Sequence, residues 1–310
     1  MKDRKLIGIF LVGTAVFVCL PFVRNPETSY DIFLLFLAFT YIALAQAWNL
    51  VGGFTGQISL GQHAFFGLGA YVATLAWLKL GLGYFHPLAF LLSGLGPAIL
   101  AVAVGIPLLS KLRGDYFALG TLGLGEILKV VFVQGGELTG GPFGLALPSS
   151  AYVSMMPYYY AALILAFLVM VVTHLIAKSW VGLALLTIRD DETAAAANGI
   201  HILKYKVLVF ALSAFITGLC GTLHAYYLFH IHPNNFFGLS WTLYPVLMCA
   251  LGGSGTIMGP LIGAFTLTGL FELTKIWLPT IHPVFSGTFI IMVVMFLPDG
   301  IISLFKAKRV

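Results

Sequence analysis

Residues Val207–Phe271 read VLVFALSAFITGLCGTLHAYYLFHIHPNNFFGLSWTLYPVLMCALGGSGTIMGPLIGAFTLTGLF, 65 positions between Lys206 and Glu272 without one Asp, Glu, Lys or Arg. A helix needs about 20 apolar residues to cross the hydrocarbon core of a bilayer, so this run holds three crossings. Two further runs behave alike: 47 uncharged residues separate Asp31 from Lys79, and 40 separate Glu137 from Lys178. Of the 310 residues, 60% are hydrophobic and 9% charged, against about 25% charged in a soluble domain. Sixteen basic and 11 acidic side chains cannot cover a soluble fold of this size. That excludes a soluble enzyme, a nucleic-acid module, a coiled coil and a disordered chain. The expected fold is an all-α polytopic membrane helical bundle, one domain over residues 1–310, with Gly-rich broken segments.

Ten spans are expected. They are Leu6–Val23, then about Ile32–Leu50, Gln57–Leu78, Pro87–Leu109, Tyr116–Val133, Tyr158–Ala177 and Val207–Phe229, two flanking Gly252–Gly255, and about Val284–Leu297. Eight or nine result if the glycine-rich third or eighth segment re-enters the membrane. The first segment lacks a small-x-small site before Arg24-Asn25-Pro26, so it reads as an uncleaved span. With a cytoplasmic N-terminus the inner side collects Lys2, Arg4, Lys5, Lys111, Arg113, Lys178, Arg189, Lys204, Lys206, Lys306, Lys308 and Arg309, 12 of the 16 basic residues. The positive-inside bias then sets both termini in the cytoplasm. The net charge of +5 is thus an orientation signal, not a nucleic-acid patch. Cys19, Cys220 and Cys249 lie in apolar runs without CxxC spacing and read as small buried hydrophobes.

Two glycine-rich stretches interrupt the apolar pattern, Gly52-Gly53-Phe54-Thr55-Gly56-Gln57-Ile58-Ser59-Leu60-Gly61 and Gly252-Gly253-Ser254-Gly255-Thr256-Ile257-Met258-Gly259-Pro260. Unwound backbone at membrane depth survives only inside protein or along water. Paired interruptions in the two halves of a chain point to a translocation pathway built on an internal repeat. Gly56, Gln57, Ser59, Gln62, Gly253, Ser254 and Gly255 are its candidate residues. Close helix packing through small residues, as at Gly67-x-Gly69, explains glycine equally well.

No GxxxxGK[ST] loop occurs, so the chain carries no ATPase motif, and neither HExxH nor GxSxG is present. It is not read as an enzyme. Uphill transport would draw on an ion gradient or a separate ATPase. Glu126 lies near the middle of its span with Lys129 one turn on. Their spacing predicts an ion pair, either facing the bundle or forming a polar element of the pathway. Glu272 and Lys275 repeat that spacing at an outer span end, where a solvated pair is expected. His63 and His224 read as buried core histidines. His230-x-His232 has no carboxylate or thiol nearby to complete a metal site.

Residues 179–206 form the longest cytoplasmic element. Its Ala, Leu and Glu content favours one short helix, or two meeting near Thr187-Ile188-Arg189, with Asn198-Gly199 as the stop. Leu183, Leu186 and Ile188 beside Arg189-Asp190-Asp191-Glu192 suit docking in a groove of another protein. The acidic triplet argues against a helix lying on anionic lipid.

Several stretches together resemble the permease subunits of branched-chain amino acid ABC importers, and more narrowly the LivM type. They are Gly56-Gln57-Ile58-Ser59-Leu60-Gly61-Gln62-His63 through Tyr71, Arg113-Gly114-Asp115-Tyr116 through Leu122 with Glu126, and Thr139-Gly140-Gly141-Pro142-Phe143-Gly144-Leu145. Ile188–Glu192 with Ala194–Ile200 follow, then Lys206, Phe210, Ser213, Gly218 and Gly221, and finally Gly252–Gly255 with Gly259-Pro260. Leu183 and Thr187 stand where that family usually has basic residues, and Gln62-His63 is a minor variant of its pattern.

The resemblance implies a permease for leucine, isoleucine or valine in a bacterial plasma membrane. Implied partners are two cytoplasmic ABC ATPases, a homologous second permease, an extracytoplasmic substrate-binding protein and membrane lipid, with no nucleic acid. The chain would bind no cofactor itself, with ATP and Mg on the ATPases. Ile188, Arg189, Asp190, Asp191, Glu192, Ala196 and Gly199 would couple it to them. Permeases of related importers for urea, amides or other amino acids are similar and stay open as alternatives. So do a gradient-driven carrier using Glu126 or His63 and a passive channel lined by the two breaks.

Overall fold

The computed structural model describes residues 17–22, 24, 29–277, 287–288, 291–292, 295–296 and 300–306. The first and last expected spans, Leu6–Val23 and Val284–Leu297, lie largely outside them. The described residues form helices α1 (Tyr30–Thr55), α2 (Gln62–Leu80), α3 (Pro87–Lys111), α4 (Asp115–Gln134), α5 (Gly136–Thr139), α6 (Met156–Lys178), α7 (Trp180–Asp190), α8 (Glu192–Ala197), α9 (Ile202–Leu228), α10 (Pro233–Phe236), α11 (Ser240–Gly252), α12 (Met258–Trp277) and α13 (Ile302–Lys306). Two-residue strands β1 (Leu145–Ala146) and β2 (His230–Ile231) pair antiparallel. The chain is an all-α membrane bundle.

Among the described residues, six helical stretches are long and apolar enough to cross a membrane: α1, α3, α4, α6, α9 and the α10–α11 stretch Pro233–Gly252. α2 and α12 have spanning length, with 19 and 20 residues. They are more polar, because α2 carries Gln62, His63 and Lys79 while α12 carries Glu272 and Lys275.

α9 forms the hub, packing most extensively on α3 and α2. Glycines permit this closeness. A Cβ at Gly69 would sit 2.3 Å from Gly218 O, one at Gly218 would sit 2.3 Å from Ser93 O, and one at Gly221 would sit 2.0 Å from Phe66 O. Backbones can meet only where side chains are missing, which is how membrane helices gain contact without a hydrophobic driving force. The core is strongly aromatic: Phe36, Phe66, Tyr71, Tyr158, Tyr226 and Phe237 are all fully buried. His224 lies inside it, stacked on Phe36 and edge-on to Trp241, and is a core histidine as expected.

Three expectations need correction. α1 does not stop near Leu50 but runs through Gly52 and Gly53 to Thr55. These two glycines stay helical because Trp48 and Asn49 cover them: Cβ atoms there would lie 2.4 Å from the indole and 2.0 Å from the amide oxygen. α9 begins at Ile202, five residues before Val207. Cys19 is exposed, whereas Cys220 and Cys249 are buried as read from the sequence.

Candidate functional site

Both unwound segments lie at the end of the bundle that carries α7 and α8. The first break covers residues 56–61, between α1 and α2, and opens with Gly56 in the left-handed region at φ 70°. The second covers residues 253–257, between α11 and α12, with Gly253 at φ 119° and Gly255 at φ 74°. Such backbone is accessible to glycine and strained for other residues. The last turn of α1 touches the second break, since a Cβ on Gly53 would lie 2.5 Å from Gly255 N.

Buried amides of α1 hold the second break open. Gly255 N donates to Asn49 Oδ1 at 2.8 Å, Asn49 Nδ2 donates to Thr256 O at 2.8 Å, and Gln46 Nε2 donates to Ile257 O at 2.5 Å. Gln46 and Asn49 are fully buried. They replace the helical partners that this backbone forgoes, as buried peptide groups require. On the first break, Trp48 Nε1 donates to Ser59 O at 2.8 Å, Gly61 N to Ser59 Oγ at 3.4 Å, and Leu60 N to Thr121 Oγ1 at 3.0 Å. Gln62 Nε2 donates to Leu44 O at 3.4 Å, and His63 Nδ1 lies 2.9 Å from Thr242 Oγ1. Gln57 Oε1, Gln62 Oε1 and His63 Nε2 are buried without a hydrogen-bond partner.

The coupling candidates divide into anchors and an outward face. Arg189 Nη1 donates to Gly53 O at 2.7 Å. The same atom sits where a Cβ on Gly255 would be, 2.4 Å away. The guanidinium therefore joins the end of α1 to the second break, while the stem of the same side chain lies against the first, 3.2 Å from where a Cβ on Gly56 would be. Glu192 Oε1 accepts from Lys206 Nζ at 2.5 Å and from Gln57 Nε2 at 3.2 Å, so the start of α8 is tied to α9 and to the first break. Lys206 is buried, and pairing offsets the desolvation of its charge. Ile188 is also buried, which removes it from any exposed docking face; Leu183 and Trp180 project instead. Asp190, Asp191, Ala196 and Gly199 are exposed.

There are two helices, as one of the expected arrangements had it, but they meet at Asp191 and not near Thr187-Ile188-Arg189, which stay inside α7; Asn198-Gly199 ends the second. Asp191 caps α8 by accepting from Thr193 N at 2.7 Å, Ala194 N at 3.1 Å and Thr193 Oγ1 at 2.5 Å. These donors, the Thr193 hydroxyl first, hold its carboxyl below the usual carboxylate range.

Glu126 stands apart. It pairs with Lys129 at 3.3 Å, but on the outer side of α4 with half its side chain exposed, not toward the bundle. Its neighbour Gly125 packs directly on His63. Glu272 pairs with Lys275 at 2.6 Å and accepts a hydrogen bond from Tyr30, so its carboxylate is buried rather than solvated. Ser254 is exposed. Among the described residues no group of three or more His, Cys, Asp or Glu could hold a metal ion. Sequence reasoning missed Gln46 and Asn49; the signal was two amides three residues apart in an apolar helix, just before a glycine pair.

Residues 32–297 match the family described as branched-chain amino acid transport system / permease component. The chain is 28% identical to the high-affinity branched-chain amino acid transport system permease protein LivM of Escherichia coli, over 97% of this chain and 76% of that protein. It is 28% identical to the LivM of Salmonella typhimurium over 86% of this chain and 69% of that one. The autoinducer 2 import system permease protein LsrC of Salmonella typhimurium is 28% identical over 70% of this chain and 60% of its own length. No solved structure matches. Matched from α1 to beyond α12, the chain belongs to the branched-chain amino acid transport system permease family.

Proposed function

We propose that this chain is the transmembrane permease subunit of an ABC importer for leucine, isoleucine and valine. It would sit in a bacterial plasma membrane with both termini cytoplasmic. Its partners would be two cytoplasmic ATPases carrying ATP and Mg, a homologous second permease and an extracytoplasmic substrate-binding protein. The solute rests on the LivM relatives, whose likeness extends over 97% of the chain where that to LsrC extends over 70%.

The observation that supports coupling is the Arg189 hydrogen bond to Gly53 O beside Gly255. An ATPase holding the exposed Asp190, Asp191, Ala196 and Gly199 would move α7 and α8 when it closes on ATP. Arg189 and Glu192 would carry that displacement into both breaks at once. Gly56, Gln57, Ser59, Gln62, Gly253, Ser254 and Gly255 then change the access of the path together. The unpartnered polar atoms of Gln57, Gln62 and His63 would give a passing solute or water groups to bind. Glu126 contributes from the side, where α4 faces a neighbour.

The test is reconstitution with the cognate ATPases, second permease and binding protein, followed by uptake of labelled leucine. Uptake should require ATP and survive a protonophore. Arg189→Ala should leave the ATPases attached and cut uptake about tenfold, the equivalent of one charge-assisted hydrogen bond. Uptake that ignores ATP and collapses with the protonophore would transfer the function to a gradient-driven carrier.

A further inference from the structure

A groove of about 1090 Å³ opens on the outer surface of the bundle between α3 and the start of α9. Its walls are Val102 and Ile106 of α3 against Leu203 and Leu208 of α9, all exposed and apolar. His201 and Lys204 stand at its α8 end, where Ala196 and Gly199 close it. Both basic residues are exposed, and among the described residues no carboxylate lies within ion-pair distance of Lys204. His201 precedes α9 without capping it, which leaves the first amides of a 27-residue helix without a side-chain acceptor.

We propose that this groove seats one anionic phospholipid, its acyl chain between α3 and α9 and its phosphate against Lys204, His201 and the α9 amides. The apolar walls suit hydrocarbon, and the charge at one end alone matches a lipid lying with its headgroup at the membrane rim. None of the acidic triplet lines the groove: Glu192 is paired with Lys206, and Asp190 and Asp191 are exposed outside its walls. A lipid here touches Ala196 and Gly199, so it would steady the far end of the coupling segment. The site rests on the proposed orientation, which puts α8 at the cytoplasmic leaflet, and not on the identity of the solute.

Native mass spectrometry of the full-length permease, with phosphatidylglycerol or phosphatidylcholine titrated into the detergent, tests it. The chain should retain phosphatidylglycerol about fivefold better, the effect of one basic side chain near anionic lipid. Lys204→Ala should bring that ratio to about one, while Lys79→Ala, at the other end of α2, should not change it. Leu208→Trp, which fills the groove, should lower retention of both lipids in protein that still elutes as one species. Equal retention by the unaltered chain, or an unchanged ratio in Lys204→Ala, would overturn the site. So would loss of ATPase co-purification in Leu208→Trp with phosphatidylglycerol retention unchanged, which would give the groove to a protein. Because retention is read on the permease alone, failed leucine uptake would count against the transport function and not against the groove.

Discussion

α1 and α4 are almost equally apolar, with mean hydropathy 1.7 and 1.6 in their spanning windows, yet 78% of the α1 window is buried and 22% of the α4 window. Hydropathy measures fitness for the bilayer and says nothing about which helix lies inside the bundle. The polar residues separate the two. In α1, Gln46 and Asn49 use their amides on backbone of the same chain. In α4, Glu126 and Lys129 satisfy each other while facing outward. A mid-helix charge facing lipid is expensive. The difference is between polar groups that hold two segments of the chain together and a pair that closes on itself at the surface.

Substitutions break or sharpen that contrast. Asn49→Leu should have the largest effect, because it leaves the half-buried Gly255 N and Thr256 O without their side-chain partner; a loss of about 3 kcal/mol is expected from two orphaned groups. Denaturant or thermal unfolding in detergent would read it. Gly53→Ala should follow at about 2 kcal/mol, since its Cβ would collide with Asn49 and with the Gly255 amide. On α4 the corresponding glycine behaves oppositely. Nothing lies within 4 Å of a Cβ on Gly123, so Gly123→Ala should stabilise the isolated chain by about 1 kcal/mol through helix propensity. Glu126→Gln should shift the unfolding of the isolated chain by only about 0.5 kcal/mol, the scale of one exposed pair within a helix. A large loss there would place α4 inside the fold and erase the contrast.

The smallest effect concerns acid. Asp191 has a depressed carboxyl pKa, so its cap is intact above the ordinary carboxylate value and is lost as pH falls through its lower value in the fold. Amide exchange at Thr193 and Ala194 should accelerate, relative to α9, only in that low-pH window. Asp191→Asn should narrow the pH dependence.

Much of this was legible in the residues. Uncharged runs located the membrane helices, and Asn198-Gly199 marked the end of α8 because both the C-terminal stop and a left-handed glycine are local properties. The end of α1 was not legible: Gly52-Gly53 looks like a breaker, and only packing by Trp48 and Asn49 keeps it helical. The burial of Ile188 and exposure of Leu183 depend on which side of α7 meets α1 and α6, a tertiary matter. The Arg189–Gly53 contact joins residues 136 apart, and no pattern in either segment announces it. Glycine serves two ends within one short stretch, with Gly53 packing against Gly255 and Gly56 turning the chain.

The meeting of Gly53 with Gly255 has a genetic consequence. Two backbones pressed together without room for a methyl group form a lock shared by distant parts of one gene. A transport-defective Gly53→Ala allele should find its intragenic suppressors around codons 253–257 or at Asn49, not beside codon 53 on the same helix face. A selection for restored growth would map that lock without any structural measurement, and would show how far each half of the chain is free to vary alone.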